Sequence, residues 1–269
     1  VLKLFPKPKA HATAMVAVKS LDHALALLNE LQEGTGGAVA AYEYMPKRYI
    51  QGYMELSSSS RKPFQKDYDH LVMIELETTV ELFSRSTDDG QVLLSGELER
   101  ILNKNLVDGS ILDAHIAQNE EQRLIMWERR EAAAEISLLK KPLINNDIAV
   151  PLEKISEFLT IMEKKLPELD PEADVLIVSH LGDGNVHYTV WPSLDDEKHK
   201  DKIMEAIENV VLFLGGSFSA EHGIGISKLS SMERRKDSVA LKVMRQIKDA
   251  IDPKGIMNPG KVLPREYDS

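Results

Sequence analysis

Cysteine is absent from this chain, so it has no disulfide, no thiolate ligand and no thiol nucleophile, and any metal it binds must be held by nitrogen and oxygen. The same absence fits a reducing compartment. Basic excess is also missing: 33 lysines and arginines stand against 43 acids, for a net charge of −10. Nucleic acid is therefore excluded as an expected partner, since neutralising phosphates needs a basic face. No apolar run approaches the roughly 18 residues of a membrane span. The N-terminus lacks the charged-then-apolar pattern of a signal peptide. It opens on Val1 rather than Met, as a processed or truncated chain would.

What is present is an ordinary globular composition. In 269 residues with 43% apolar content there is room for one large domain or two small ones. Apolar periodicity and turn residues predict strands over 12–18, 38–44, 71–77, 109–116, 148–150, 175–180 and 185–190, with a short strand at Ser217. Helices are predicted over 20–33, 46–56, 91–106, 120–140, 152–166, 197–214 and 237–251, and residues 57–66 read as a polar loop. Ser20 is placed to cap the first helix, whose stripe is Leu21, Leu25, Leu28 and Leu31. The order reads as two successive split βαβ units, about 10–118 and 145–220, followed by a helical tail. The expected fold class is α+β: a duplicated ferredoxin-like domain with a mainly antiparallel sheet and helices packed on one face. No residue-level repeat accompanies the repeated order, so duplication and coincidence both remain open.

Two stretches carry chemistry. In the first, His180 and His187 flank the Gly182-Asp183-Gly184 turn of an expected hairpin, where cross-strand side chains lie roughly 5 Å apart. Two imidazoles so placed could share a divalent metal if further ligands arrive. The second stretch, Gly215 to Gly225, offers Glu221 and His222 between glycines. Two histidines and a carboxylate leave metal positions open for a substrate, as catalytic sites do. Spacing alone equally allows surface histidines beside a tight bend. Asp183 and Asn185 read either as groups that orient the histidines or as simple turn residues.

His180-Leu-Gly-Asp-Gly-Asn-Val-His187, Ser219-Ala-Glu221-His222-Gly-Ile-Gly225 with Lys228, and Asp252 to Lys261 with its Asn258-Pro-Gly resemble, in order, three signatures of one flavoprotein group. These are the FAD-linked oxidases of the vanillyl-alcohol-oxidase type, specifically the D-2-hydroxy-acid dehydrogenases that oxidise D-lactate or D-2-hydroxyglutarate. The resemblance runs from near Val1 to Pro264 and covers the C-terminal half of a family member. It implies a substrate-binding cap domain over 1–264, with the N-terminal FAD-binding domain absent from this sequence, which has no counterpart of the family's Gly- and Ser-rich pyrophosphate segments. Such a cap is expected to be inactive alone, and to work with a FAD domain on the same polypeptide or on a partner chain.

Residue by residue, the resemblance implies that His180, His187 and Glu221 hold a divalent metal of the Zn2+ kind, and that His222 is the general base taking the substrate hydroxyl proton. Glu221, His222 and Asn258 would face the flavin. Arg130, in Trp127-Glu-Arg-Arg130-Glu131, matches the arginine that binds the substrate carboxylate, although by pattern alone a solvated helix arginine paired with Glu131 or Glu135 also fits. Asn145 and Thr189 fall at further substrate positions. Relatives specific for dicarboxylates have lysine where this chain has Asn145 and threonine where it has Ala134, and some have asparagine in place of Thr189. Losing that cation favours a monocarboxylate such as D-lactate, unless Lys140, Lys141 or Lys228 substitutes in space.

The expected location is the cytoplasm, or the mitochondrial matrix in a eukaryote, and a homodimer is allowed. Two rival classes stand beside the enzyme. One is a structural metal or assembly module, which predicts a closed four-ligand shell. The other is a regulatory ferredoxin-like small-molecule domain, and an inert His222 shut away from solvent would weaken the enzyme reading.

Overall fold

The computed structural model describes residues 2–56, 59–86 and 92–264. Gln91, the expected start of a helix, and residues 57 and 58 of the expected loop lie outside them, as does Val1. Seven strands form one sheet, in the order β4-β1-β3-β2-β6-β7-β5, and every pairing is antiparallel. The first half runs β1 (Ala10–Val18), α1 (Leu21–Thr35), β2 (Val39–Tyr44), α2 (Lys47–Leu56), β3 (His70–Thr78), α3 (Leu93–Val107) and β4 (Ile111–Ile116). After α4 (Glu120–Glu131) and α5 (Ala133–Ser137), the second half runs β5 (Ile144–Ala149), α6 (Ile155–Leu169), β6 (Asp174–His180), β7 (Asn185–Trp191) and α7 (Glu197–Phe213). A bridge from Ser217 to Ala149 then adds the short eighth segment at the outer edge. The two halves thus repeat one strand order and meet where β2 pairs β6 through Glu43↔His180 and Tyr44↔Ser179. The tail carries α8 (Leu229–Arg235) and α9 (Ser238–Ile251).

Strand alternation divides the sheet into two unlike faces. Val16, Tyr42, Tyr44, Ile74, Ile148, Val186, Tyr188 and Val190 point to one side and pack under α1, α3, α6 and α7, the four helices that the repeated order calls for. Phe158 of α6, fully buried, meets the Tyr188 ring edge-on at 5.5 Å. The opposite side carries Met15, Met73, Leu176, Val178 and Trp191 under α2, α4 and α5, in a second, smaller cluster. Glu43, Asn145, Asp147, His180, His187 and Thr189 occupy that same face. Chemistry is therefore gathered where helical cover is thinner.

Three expectations of local structure are corrected. The single helix over 120–140 breaks at Ala132 into α4 and α5, because the Tyr49 hydroxyl donates to the carbonyls of both Arg129 and Arg130 at 2.9 Å and competes with the next helical N–H groups. The strand expected over 148–150 begins at Ile144; Asn145 and Asp147 hid it, being polar residues on the site-bearing face. The helix expected over 152–166 opens with a 3-10 turn, Leu152–Lys154, and holds Pro167 in its last turn. Ser20 does cap α1, its hydroxyl accepting from the His23 N–H and contacting the ring Nδ1 at 2.7 Å.

Gly184 fixes how the β6–β7 turn meets the end of β5. Its φ is +83°, and a Cβ there would stand 2.2 Å from the Val150 carbonyl oxygen, while its own carbonyl accepts from the Val150 N–H at 3.1 Å. Gly184→Ala is expected to cost about 2 kcal/mol or more, combining backbone strain with a clash against main chain. A urea midpoint equal to that of the unchanged protein would contradict this account.

Candidate functional site

The hairpin brings its two histidines to one face, though diagonally rather than directly opposed: His180 pairs Asn185, and His187 pairs Val178. Their ring centroids are 5.4 Å apart. Beyond the short edge segment the chain turns back over β5, where Ala220 N–H donates to the Asp147 carbonyl at 3.1 Å. This return sets Glu221 above both rings, with Oε1 3.7 Å from His180 Nε2 and Oε2 3.6 Å from His187 Nε2. Two donors of a tetrahedral zinc stand about 3.3–3.6 Å apart. The spacing therefore fits an ion between imidazole and carboxylate. His222 stacks on His187, 5.4 Å between centroids at 18°, and its side chain is 55% exposed.

Two buried acids missed by the sequence reading hold this arrangement. Glu43 of β2 accepts from His180 Nδ1 at 2.9 Å and from Arg130 Nε at 2.5 Å. A carboxylate only accepts, so Nδ1 carries the hydrogen and Nε2 is the nitrogen left for a ligand, the usual way an acid orients a metal-binding histidine. Burial opposes the Glu43 charge, but the His180 hydrogen bond and the Arg130 charge outweigh it and lower its pKa. The same hydrogen bond raises His180. His187 is pushed down to about 4, by burial first and then by the charges of His180 and Arg130, so it stays neutral with a lone pair available.

Asp147 is the second acid. Its Oδ2 accepts from the backbone N–H groups of His222 at 2.8 Å and Glu221 at 2.9 Å and from Lys228 Nζ at 3.3 Å, and Oδ1 accepts from Asn185 Nδ2 at 2.8 Å. Burial works against its charge, yet these donors hold the carboxyl well below the usual range. Asp147, His187, Glu221 and His222 also offer ligand atoms within 4.8 Å of one another. With Oδ2 committed to the loop and Oδ1 to Asn185, Asp147 serves that set as an anchor more readily than as a ligand. Neither the Asp183 nor the Asn185 side chain hydrogen-bonds a histidine ring: Asp183 accepts from the Asn185 N–H as a turn residue, its own N–H donating to the His180 carbonyl, and Asn185 acts on Asp147.

Arg130 is buried and paired with Glu43, which overturns the solvated pairing with Glu131 or Glu135. Its Nη2 lies 3.0 Å from His180 Nε2 and 3.3 Å from Nδ1, over the face of that ring, and Nη1 has no protein acceptor among the described residues. Arg130, Asn145, Thr189 and His222 all line one cavity of roughly 160 Å³, walled on the apolar side by Leu176 and Val178. Thr189 Oγ1 donates to Asn145 Oδ1 at 2.8 Å. Arg130 is the one fixed cation among the lining residues. Lys140 is bound to Asp174, Lys228 to Asp147 and Ser219, and Lys141 is exposed. Asn258 is not brought to the cluster: it sits in the exposed tail at φ +48°, its carbonyl accepting from the Lys261 N–H.

Fold and site together define an α+β domain that gathers imidazoles, a carboxylate and an anchored guanidinium on one sheet face. The chain belongs to the FAD linked oxidases, C-terminal domain family, whose profile matches residues 7–262. It is 29% identical over 263 residues to the mitochondrial D-2-hydroxyglutarate dehydrogenase of Arabidopsis thaliana, covering 96% of this chain and 44% of that protein. Identity to the glycolate oxidase subunit GlcD of Bacillus subtilis is 25%, covering 99% and 54%. In fold it is similar to 4-ethylphenol oxidase from Gulosibacter chungangensis, with a TM-score of 0.57 at 12% identity, covering 98% of this chain and 56% of that one. The chain thus spans about half the length of these relatives. No helix among the described residues is long and apolar enough to cross a membrane.

Proposed function

We propose that this chain is the substrate-binding and catalytic half of a FAD-dependent D-2-hydroxy-acid dehydrogenase, built on two ferredoxin-like halves, which oxidises a small 2-hydroxy acid to its 2-oxo acid. The observation that carries the reading is the convergence of His180, His187, Glu221, His222 and Arg130 around a single opening. A divalent metal, when bound, would polarise the substrate hydroxyl, and FAD would accept the hydride leaving Cα.

The chain's own residues do the rest. Arg130, gripped at Nε by Glu43, is held with its terminal nitrogens free to turn from His180 to the substrate carboxylate, whose two oxygens match the guanidinium fork. Because Nη2 stands over the His180 ring face, the in-plane lone pair of His180 Nε2 stays open to a metal beside His187 Nε2 and Glu221. His222, with Nδ1 facing Asp147 at 3.8 Å, has Nε2 left to take the hydroxyl proton. Thr189 and Asn145 give the far wall neutral polarity, and no second cation lines it to hold a second carboxylate. We therefore favour a monocarboxylate such as D-lactate.

Exposure of His222 supports the enzyme reading, which a solvent-blocked ring would weaken, and three ligands with an open side favour it over a closed structural site. The tail supports a flavin-binding portion as neighbour: α9 buries no residue and sets Val239, Val243, Ile247 and Ile251 at i, i+4 spacing, 67%, 47%, 54% and 70% exposed. Metal analysis after dialysis against zinc is expected to return one ion per chain, lost in His187→Ala and in His180→Ala. Joined to its flavin-binding portion, His222→Ala should slow reduction of an artificial acceptor by about 10²–10⁴-fold. Zinc content untouched by His187→Ala would defeat the metal assignment, and undiminished turnover in His222→Ala would defeat the base.

A further inference from the structure

Arg129, one position before Arg130, is the most buried arginine among the described residues at 3% exposure, and it has no acid. The other arginines held against the core do: Arg123 has Glu75, Arg130 has Glu43, and Arg234 and Arg235 share Glu208. Arg129 instead lies over the Tyr53 ring, 5.5 Å from its centroid, and donates from Nη2 to the Arg61 carbonyl at 3.2 Å. Its Nε is buried without a partner. A buried guanidinium with neither counter-charge nor full hydrogen bonding is costly, and folds retain such a charge where something else neutralises it.

A cavity of roughly 180 Å³ adjoins it. Arg61, Lys62, His115 and Gln122 line the walls, Met15 and Met126 lie beneath, and no lining residue is an acid. In a chain with ten more acids than bases, an acid-free cavity with three cationic side chains departs from the background. Lys62 is partly neutralised by Asp67, at 2.8 Å, whereas Arg61 has no carboxylate partner among the described residues. This cavity shares no lining residue with the one at Arg130.

We propose that the cavity is an anion site in which Arg129, with Arg61 and Lys62 at its mouth, takes a small oxyanion, either a phosphoryl group or a carboxylate. A guanidinium offers both ligands the same planar fork of donors, and Gln122 adds a neutral donor. The site bears on the neighbouring one through Tyr49, whose hydroxyl holds the carbonyls of Arg129 and Arg130 together. Fixing the first arginine steadies the turn of α4 that carries the second.

The test is calorimetric and thermal titration of the 269-residue chain with inorganic phosphate and with malonate, against chloride at matched ionic strength. Saturable binding of one anion per chain, with the unfolding midpoint rising by several degrees, is expected. Arg129→Met should abolish it, and should raise the midpoint in chloride by removing the unpaired charge. Arg61→Ala, on an exposed loop that tolerates change, should weaken binding about tenfold. Saturation by phosphate alone assigns a phosphoryl ligand, and by malonate alone a carboxylate. No saturable binding of either anion, or binding unchanged in both variants, overturns the site.

Discussion

Glu43→Ala is expected to lower the unfolding free energy by about 3–5 kcal/mol, because it strands Arg130 in a pocket where its side chain is 10% exposed and leaves a buried cation without its acid. The same change removes the acceptor for His180 Nδ1, so the ring loses its orientation and metal affinity should fall about 10–100-fold. The two losses separate in a double substitution. Glu43→Leu with Arg130→Met takes both charges away together, and swapping a buried pair for apolar side chains is often neutral or stabilising. That protein should recover most of the stability measured by urea unfolding while binding neither zinc nor substrate well. If Glu43→Ala alone unfolds at the same urea concentration as the unchanged chain, the pair carries no stability and its place in the site needs another account.

Why Glu43 escaped the sequence reading is instructive. It sits in Tyr42-Glu43-Tyr44, an apolar-polar-apolar run that reads as an edge strand with one solvated residue, and nothing local marks the acid as buried. Its partners lie 87 and 137 positions away and meet it only because β2 pairs β6 at the seam between the halves. The histidine hairpin was legible for the opposite reason. A β-branched run, a Gly-Asp-Gly turn and an alternating run fix register within a few residues, so both imidazoles had to emerge near one another. Glu221 and His222 were brought to them by the motif resemblance, since periodicity gives no distance across a loop. Arg129 illustrates a further limit. A helix pattern places a side chain on a face but says nothing of what faces it, and two adjacent arginines end in separate cavities, one with an acid and one without.

Asp147→Ala should do the most damage to the site itself. The carboxylate is the acceptor for four donors from three segments: the N–H groups of Glu221 and His222, Asn185 Nδ2 and Lys228 Nζ. Removing it leaves each without that partner, at about 1–3 kcal/mol for a donor that water cannot reach. The loop is partly exposed and recovers some bonds to solvent, so the expected net loss is about 3–5 kcal/mol. Its pH dependence identifies the cause. A carboxyl whose folded pKa is depressed contributes all its stability above its unfolded value, near pH 4, and loses it as the pH falls further toward the folded value. The gap between the unchanged protein and Asp147→Ala should therefore be constant from about pH 5 to 7 and narrow below about pH 4. Zinc content should fall with it, because Glu221 is no longer held over the histidines. Full zinc occupancy in Asp147→Ala would mean that the loop finds its place without this acid, and that the ligand set does not depend on the anchor assigned to it.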